Sequence, residues 1–311
     1  MRSMNKQLRI VFMGTPDFAV ASLDILVENG FNIVGVITAP DKPAGRGLQM
    51  QESAVKKYAV SKGLTVLQPE KLKNPEFIAQ LAALKADLQV VVAFRMLPEM
   101  VWNMPPEGTI NVHASLLPNY RGAAPINWAI INGETTSGVT TFKLQHEIDT
   151  GDILLSDKVA IREDETAGEL HDELMHTGAR LLLKTVQAIA AGNAQETPQA
   201  TIAAEDIKHA PKIFKETCQI NWQEPLDKIY NLVRGLSPYP AAWTTLQGKS
   251  IKIYKAHKEP GKPSIAPGEF DTDQKTYVRM AAPDGYLYLD EVQLEGKKRM
   301  DTEAFLRGYR F

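Results

Sequence analysis

The first two thirds of the chain alternate short apolar runs with segments whose apolar residues recur at helical spacing. Apolar runs at residues 8–13 and 32–38 flank a segment of helical periodicity that stops at Gly30. Further runs occur at residues 64–68, 87–94 and 109–115. Strands that alternate with helices and are apolar on both faces belong to parallel sheets covered on both sides. The pattern therefore predicts an α/β domain with a Rossmann-like, mainly parallel sheet, closed by a long amphipathic helix over 164–191.

The pattern changes after Gly192. Residues 193–212 are polar, contain prolines and are typical of a linker. Beyond them come short β-rich runs divided by turns with Gly or Pro, which favours a small OB-like β-barrel. We therefore predict an α/β domain over 1–192, a linker over 193–212 and a β-barrel domain over 213–311.

The composition indicates a soluble globular protein. The 311 residues are 44% hydrophobic and 23% charged. No apolar run approaches the roughly 18 residues that a membrane-spanning helix needs, and the short N-terminal run ends in Gly-Thr-Pro-Asp, which indicates a first strand and not a signal peptide. The single cysteine, Cys218, excludes an intramolecular disulfide and is typical of a reducing compartment. We therefore expect a cytoplasmic protein without membrane association.

The net charge of −2 is divided unevenly along the chain. Residues 1–207 carry 18 Lys and Arg against 24 Asp and Glu, whereas residues 208–311 carry 17 against 13. A basic C-terminal portion on an acidic body is expected when one domain contacts a polyanion, although an excess of this size also arises by chance.

The segment from Gly14 to Ala19 follows a predicted strand and opens a helix, as the fingerprint of dinucleotide-binding proteins does. It lacks the second and third glycines of G-x-G-x-x-G, so the sequence disfavours a nicotinamide-dependent dehydrogenase. A tight strand-to-helix turn explains the segment without a cofactor.

Two polar residues end one of the predicted strands. Asn111 and His113 project from the same face because side chains alternate along a strand. They lie at the carboxyl end of a parallel strand, where α/β sheets bind their ligands. Residues 115–118 must form a loop, because Pro118 lacks the N–H that a central strand requires. The pair could simply support this loop, or the loop and the pair could together hold a planar, hydrogen-bonding ligand.

A carboxylate completes a candidate catalytic group. Asp149 lies in the turn Asp-Thr-Gly-Asp at 149–152, which could be only a turn. If Asp149 faced His113, it would favour the imidazolium and orient the ring. The trio of Asn111, His113 and Asp149 contains donors and a proton shuttle, but no Ser or Cys nucleophile, which favours direct acyl transfer to an amine. A metal site formed by His113, His146 and Asp149 is the less favoured alternative, because the segment between the last two is not convincingly helical.

These motifs resemble the N10-formyltetrahydrofolate-dependent formyltransferases. The resemblance is carried by NVHASLLPNYRGAAPINWAI from Asn111 and by the DTGD turn. It implies that Asn111, His113 and Asp149 are catalytic and that no metal takes part. It also implies two loops that contact the 10-formyltetrahydrofolate donor. These comprise Ser115, Leu116, Leu117 and Pro118 in the first loop, and Phe94, Arg95, Met96 and Leu97 in the second.

The chain is most similar to the branch of that family that formylates the methionine of initiator tRNA. TAPDKPAGRG at 38–47, APKIFKE at 210–216, INW at 220–222 and the β-rich C-terminal domain all share this similarity. The resemblance implies a loop that enters the acceptor end of the tRNA, with Lys42 and Arg46 as contacts. We expect further phosphate contacts from lysines of the barrel, with the first three on one strand face: Lys249, Lys252, Lys255, Lys297 and Lys298.

The resemblance thus implies an enzyme that transfers a formyl group to the amino group of methionine on initiator methionyl-tRNA, for translation initiation, and that acts as a monomer. The sequence departs from that branch in two places. Leu48 and Gln49 stand where lysines are frequent, and the loop at 93–98 is one residue shorter than usual. Two alternatives remain open: a formyltransferase for an amino sugar nucleotide, and a non-catalytic protein that binds folate or tRNA.

Overall fold

The computed structural model describes residues 7–199 and 204–311. Residues 1–6 of the predicted α/β domain and residues 200–203 of the predicted linker lie outside this part of the chain. The chain forms two compact units. Of the described residues, the first comprises 7–121, 138–159, 172–199 and 204–208, and the second comprises 122–137, 160–171 and 209–311.

The described residues form eight α-helices and seventeen strands, which we number in chain order. The helices are α1 (Asp17–Glu28), α2 (Ala54–Ser61), α3 (Pro75–Ala83), α4 (Glu99–Trp102), α5 (Pro125–Ile131), α6 (Ala167–Ala190), α7 (Leu226–Gly235) and α8 (Thr302–Gly308). The strands up to the end of the α/β sheet are β1 (Arg9–Gly14), β2 (Asn32–Ile37), β3 (Lys42–Ala44), β4 (Gln49–Gln51), β5 (Val66–Leu67), β6 (Leu88–Val92), β7 (Thr109–His113), β8 (Arg121–Gly122), β9 (Thr136–Lys143) and β10 (Ile153–Ala160). The later strands are β11 (His209–Ala210), β12 (Ala242–Leu246), β13 (Lys249–Pro260), β14 (Phe270–Thr272), β15 (Val278–Ala282), β16 (Gly285–Leu294) and β17 (Met300–Asp301).

A seven-stranded sheet in the order β10-β9-β7-β6-β1-β2-β5 organises the first unit. Its strands β5, β2, β1, β6 and β7 pair in parallel, and β9 runs antiparallel to β7. The prediction of a mainly parallel α/β sheet is confirmed. Strands β9 and β10, which flank the turn at Asp149, are additional to the predicted strands.

The centre of this sheet is buried on both faces. Ile10, Val11, Phe12 and Met13 of β1 are all fully buried. Burial of each such side chain stabilises the fold by about 1.5–3 kcal/mol relative to exposure. This packed centre gives β7, one strand away from it across β6, a rigid position from which to present side chains at its carboxyl end.

The second unit is built on an antiparallel sheet in the order β12-β13-β16-β15-β14, with β17 paired to β16. The sheet forms a half-barrel, which confirms the predicted β-rich C-terminal fold. Helix α7 buries Leu226, Ile229 and Val233, which recur at helical spacing, in the same core as Ile251 and Ile253 of β13.

The prediction that three lysines of β13 share one face is wrong for Lys249. Lys252 and Lys255 lie opposite Gln293 and Glu291, which are two residues apart on β16, so a bulge between the two lysines brings them to the same face. Lys249 lies three positions before Lys252 in regular pairing, and an odd spacing places it on the other face. Its side chain is exposed because it lies at the end of the strand.

Candidate active site

Strand β7 carries two of the three predicted catalytic residues. Asn111 pairs with Phe142 of β9, and His113 pairs with Thr140, so both side chains leave the same face of the sheet. Asn111 is half-buried, whereas His113 is only 7% exposed. The strand therefore presents an amide close to solvent beside an imidazole held within the protein.

The His113 ring is oriented by the main chain. Its Nε2 lies 2.8 Å from the carbonyl oxygen of Tyr120, and since a carbonyl only accepts, Nε2 carries the hydrogen and donates it. The ring also meets the ring of Phe142 edge-on, with centroids 6.5 Å apart. Because Nε2 is engaged, Nδ1 is the ring nitrogen that can interact with Asp149 or with a ligand.

Asp149 faces that nitrogen. Its Oδ2 lies 3.8 Å from Nδ1 of His113, and the two side chains are 11% and 9% exposed. The carboxylate thus lies within ion-pair distance of Nδ1 in a largely buried setting. The structure thus brings His113 and Asp149 together, with Asn111 on the same strand face.

The turn that carries Asp149 is tightly constrained. Asp149 has a φ of 56°, in the left-handed region that few residues other than Gly adopt. At Gly151 a Cβ atom would lie only 1.6 Å from the carbonyl oxygen of Lys143, so no side chain fits there. A glycine is therefore required at position 151 by the close approach of the turn to the end of β9.

The loop Ser115–Pro118 follows directly from β7 and is held by β9. The Thr140 hydroxyl donates to the carbonyl of Ser115 at 2.7 Å and accepts from the N–H of Leu117 at 3.2 Å. Leu117 and Pro118 are buried, whereas Leu116 is half-buried. The predicted folate-contacting loop thus has a fixed backbone with one apolar side chain partly open.

The second predicted folate loop, residues 93–98, follows β6. Leu97 is buried in the core and Met96 is 73% exposed. The Arg95 guanidinium donates to the carbonyls of Pro69 and Glu70 and lies over the ring of Phe94. Arg95 therefore braces the loop through main-chain carbonyls. Together with neighbouring residues it lines an open cavity, which includes Lys71, Lys73, Met96, Leu97, Pro98 and Met100.

The segment with Lys42 and Arg46 forms a hairpin. Strands β3 and β4 pair antiparallel, and both cations are exposed, Lys42 at the start of β3 and Arg46 in the turn between the two strands. Leu48, in the same turn, is 73% exposed. At its base Lys56 lies 2.6 Å from Asp41, and this hydrogen bond holds the pKa of the Asp41 carboxyl below its usual value. The hairpin is thus largely exposed, and the Lys56–Asp41 ion pair holds the chain where the hairpin begins.

The predicted phosphate-contacting lysines of the second unit are all exposed. Lys255 lies 3.7 Å from Glu291, and Lys249 lies over the Tyr309 ring. Lys297 and Lys298 lie in the turn after β16.

Sequence reasoning missed three contributors to the site. The Tyr120 carbonyl orients His113, and a main-chain group has no sequence signature. Thr140 holds the Ser115 carbonyl, but it is an ordinary strand threonine in the sequence. Gln199 donates to the Asp149 carbonyl, but it lies in the polar segment predicted as a linker.

The alternative metal site does not form. His146 lies 3.5 Å from Glu99 and edge-on to Trp102. Over residues 7–199 and 204–311, no three His, Cys, Asp or Glu side chains come together in a way that suits a metal ion. Among the helices that the structure describes, none has the length and apolarity needed to cross a bilayer.

Comparison with known proteins defines the class. The sequence pattern of the family described as formyl transferase matches residues 8–186, and that of the formyl transferase C-terminal domain matches residues 212–310. The chain therefore belongs to the formyl transferase family. This confirms the resemblance found in the sequence and the expected class of enzyme, a one-carbon group transferase.

The chain is also similar to individual proteins of known name and to solved structures. The methionyl-tRNA formyltransferase of Bacteroides fragilis is 55% identical over 310 residues, which cover 98% of this chain and 96% of that protein. Among solved structures, HypX from Aquifex aeolicus in complex with tetrahydrofolic acid has a TM-score of 0.66 at 20% identity and covers 97% of this chain, which spans 47% of HypX. WlaRD, a sugar 3N-formyl transferase solved with dTDP and 5-N-formyl-THF, has a TM-score of 0.68 at 21% identity, with 94% of this chain and 99% of that chain covered. These two structures support the fold.

Proposed function

We propose that this chain transfers the formyl group of 10-formyltetrahydrofolate to the free amino group of methionine on initiator methionyl-tRNA. The observation that carries this proposal is the 55% identity with a methionyl-tRNA formyltransferase over 98% of the chain, the C-terminal unit included. The product is the N-formylmethionyl-tRNA used to initiate translation.

The reaction is a direct acyl transfer. The neutral α-amine attacks the formyl carbon, a C–N bond forms, and negative charge develops on the formyl oxygen. The bond from the formyl carbon to N10 of the folate then breaks, the attacking nitrogen loses a proton, and N10 gains one. Ser115, the hydroxyl closest in sequence to His113, donates to the Asn119 carbonyl at 2.7 Å, which fits a route without an acyl-enzyme.

The three candidate catalytic side chains have separate roles in this step. The Asn111 amide and the protonated Nδ1 of His113 donate to the developing oxyanion, and loss of one such donor typically costs about 10²–10³ in rate. Asp149 keeps His113 charged and takes part, through water, in removal of the amine proton. The Tyr120 carbonyl, by holding Nε2, assigns Nδ1 to this task.

The two loops beside the site hold the folate. Ser115 to Pro118 offers a fixed backbone for hydrogen bonds, and the partly open Leu116 offers apolar contact. Phe94, Arg95, Met96 and Leu97 form the second wall. Because Arg95 is engaged with the carbonyls of Pro69 and Glu70, the main chain and Met96 supply the contacts there.

The tRNA contacts both the catalytic domain, residues 1–192, and the C-terminal domain, residues 213–311, which a linker over 193–212 joins. Lys42 and Arg46 on the hairpin contact the acceptor end. The lysines of the second unit contact phosphates: Lys249, Lys252, Lys255, Lys297 and Lys298. The substrate places the reaction in the cytoplasm, and we propose that the enzyme acts as a monomer.

A panel of acceptors tests the proposal. The full-length protein is incubated with 10-formyltetrahydrofolate labelled in the formyl group and, separately, with initiator methionyl-tRNA, elongator methionyl-tRNA and dTDP-linked amino sugars. The label should appear on the methionine of initiator tRNA. Transfer to a sugar amine in preference to the tRNA would support the rival sugar activity, and the absence of transfer to any acceptor would support a non-catalytic binding protein.

A further inference from the structure

The segment after α6 reaches the candidate active site through one side chain. Thr197 exchanges main-chain hydrogen bonds with Ile153 at the start of β10, at 2.7 and 2.9 Å. Glu196 forms an ion pair with Lys143 at the end of β9. These contacts fix the segment beside the turn at Asp149 and place Gln199 next to that turn.

The side-chain amide of Gln199 forms hydrogen bonds with main-chain carbonyls of the turn at Asp149. Its Nε2 donates to the carbonyl of Asp149 at 2.7 Å and to the carbonyl of Gly151 at 2.9 Å. Its Oε1 accepts from Nη2 of Arg121 at 2.7 Å. Arginine can only donate, so it holds the amide oxygen toward itself and turns both amide hydrogens to the two carbonyls.

The contacts of Gln199 link the two segments that position His113 and Asp149. Arg121 follows Tyr120, whose carbonyl accepts from Nε2 of His113. The turn that Gln199 contacts carries Asp149, whose Oδ2 lies 3.8 Å from Nδ1 of the same histidine. One short segment and one distant glutamine therefore determine the orientation of the imidazole and of the carboxylate that faces it.

The turn requires such support. Asp149 adopts the left-handed conformation at a φ of 56°, which is unfavourable for a residue with a side chain and persists only where its surroundings enforce it. Gln199 donates one hydrogen bond to the carbonyl of the strained residue itself and a second to the carbonyl of Gly151, two positions later. Without them, the turn can relax and carry the carboxylate away from His113.

We propose that Gln199 is a positioning residue for the formyl transfer, acting through the main chain of Asp149. The inference rests on the proposed function for its kinetic consequence, and on geometry alone for its effect on the turn. Misplacement of a catalytic group by about 1 Å can cost about 100-fold in rate. We therefore expect Gln199→Ala to lower the single-turnover formylation rate about 10- to 100-fold, with little change in the apparent affinity for either substrate.

A double-mutant cycle separates positioning from general support of the fold. If Gln199 acts only through Asp149, Gln199→Ala should slow the wild-type enzyme but should have less than a twofold effect in the Asp149→Asn background. Gln145→Ala is the matched control, since Gln145 donates to the Thr150 hydroxyl on the exposed side of the same turn at 2.7 Å. We expect this control to retain activity within twofold.

Substitution by Glu provides a second variant that keeps the length of the side chain. Gln199→Glu can still accept from Arg121 but cannot donate to the two carbonyls, so it should lose as much activity as Gln199→Ala. Full additivity in the cycle, or an equal loss in Gln145→Ala, would overturn the inference.

Hydrogen exchange of the turn supplies a readout that does not depend on the reaction. In full-length Gln199→Ala, amides of a peptide covering residues 147–153 should exchange at least tenfold faster than in the wild type, while peptides of β1 and β6 remain unchanged. If the wild type transfers no formyl group, the proposed function fails, yet this measurement still decides the structural claim. Unchanged exchange of the turn would overturn it.

Discussion

Replacement of Thr140 by Val removes one hydroxyl from a fully buried position on β9. Valine has nearly the shape of threonine, so packing is preserved and the loss is confined to hydrogen bonds. The Ser115 carbonyl loses a donor at 2.7 Å, and the Leu117 N–H loses an acceptor at 3.2 Å. Each buried group left without a partner costs about 1–3 kcal/mol, so for the two groups we expect the free energy of unfolding to fall by about 2–6 kcal/mol.

The same substitution should weaken folate binding, because both lost bonds hold the loop Ser115–Pro118. If binding must restore about 1.4 kcal/mol of lost loop order, the affinity falls about tenfold. The assay is titration of full-length protein with 10-formyltetrahydrofolate, together with thermal unfolding. A loss of about 2–6 kcal/mol lowers the Tm by about 4–24 °C for units of this size.

The neighbouring threonine gives a matched control. Thr141 is also fully buried, but its side chain leaves the other face of β9, where its hydroxyl meets the hydroxyl of Thr185 at 2.8 Å and accepts from the N–H of Leu155 at 3.2 Å. Thr141→Val should therefore cost a similar amount of stability and leave folate affinity unchanged. If the two variants lose stability equally and bind folate equally well, the assignment of the Ser115–Pro118 loop is refuted.

Three further expectations concern other parts of the chain. Gly151→Ala should abolish activity or folding, because its Cβ would lie 1.6 Å from the Lys143 carbonyl oxygen, and normal activity with an unchanged Tm would contradict the described turn. Lys252→Gln should reduce the slope of log affinity for initiator tRNA against log salt by about 1, as expected for one lost phosphate contact, and an unchanged slope would remove Lys252 from the tRNA surface. Burial raises the pKa of the Cys218 thiol, so we expect iodoacetamide to modify it slowly at pH 7.5 in the native protein and rapidly in urea, as followed by mass spectrometry, whereas rapid native labelling would contradict its burial.

The sequence is informative where local pattern and function coincide. The patterns at residues 87–94 and 109–115 predict strands of a parallel sheet, and the structure has β6 and β7 there, paired in parallel. The two-residue spacing of Asn111 and His113 places them on one face in any strand. Neither inference requires knowledge of distant contacts.

Other features depend on distant contacts that no local pattern reveals. The approach of Asp149 to His113 follows from the antiparallel register of β7 and β9 and from a left-handed residue in the turn. Gln199 lies in a polar stretch whose composition predicts a linker, and only the structure shows its contact with that turn. The face of Lys249, by contrast, follows from the sequence alone. Lys249 and Lys252 are three residues apart, so alternation along a regular strand places their side chains on opposite faces.

The most direct test of the account is single-turnover formylation of initiator methionyl-tRNA by His113→Ala and Asp149→Asn, each compared with the wild type at saturating 10-formyltetrahydrofolate. Loss of the imidazolium should slow the chemical step about 100- to 1,000-fold, and loss of the facing carboxylate should slow it substantially, with both substrates still bound. Rates within a few-fold of the wild type for both variants would contradict the central claim that this imidazole and carboxylate carry the transfer.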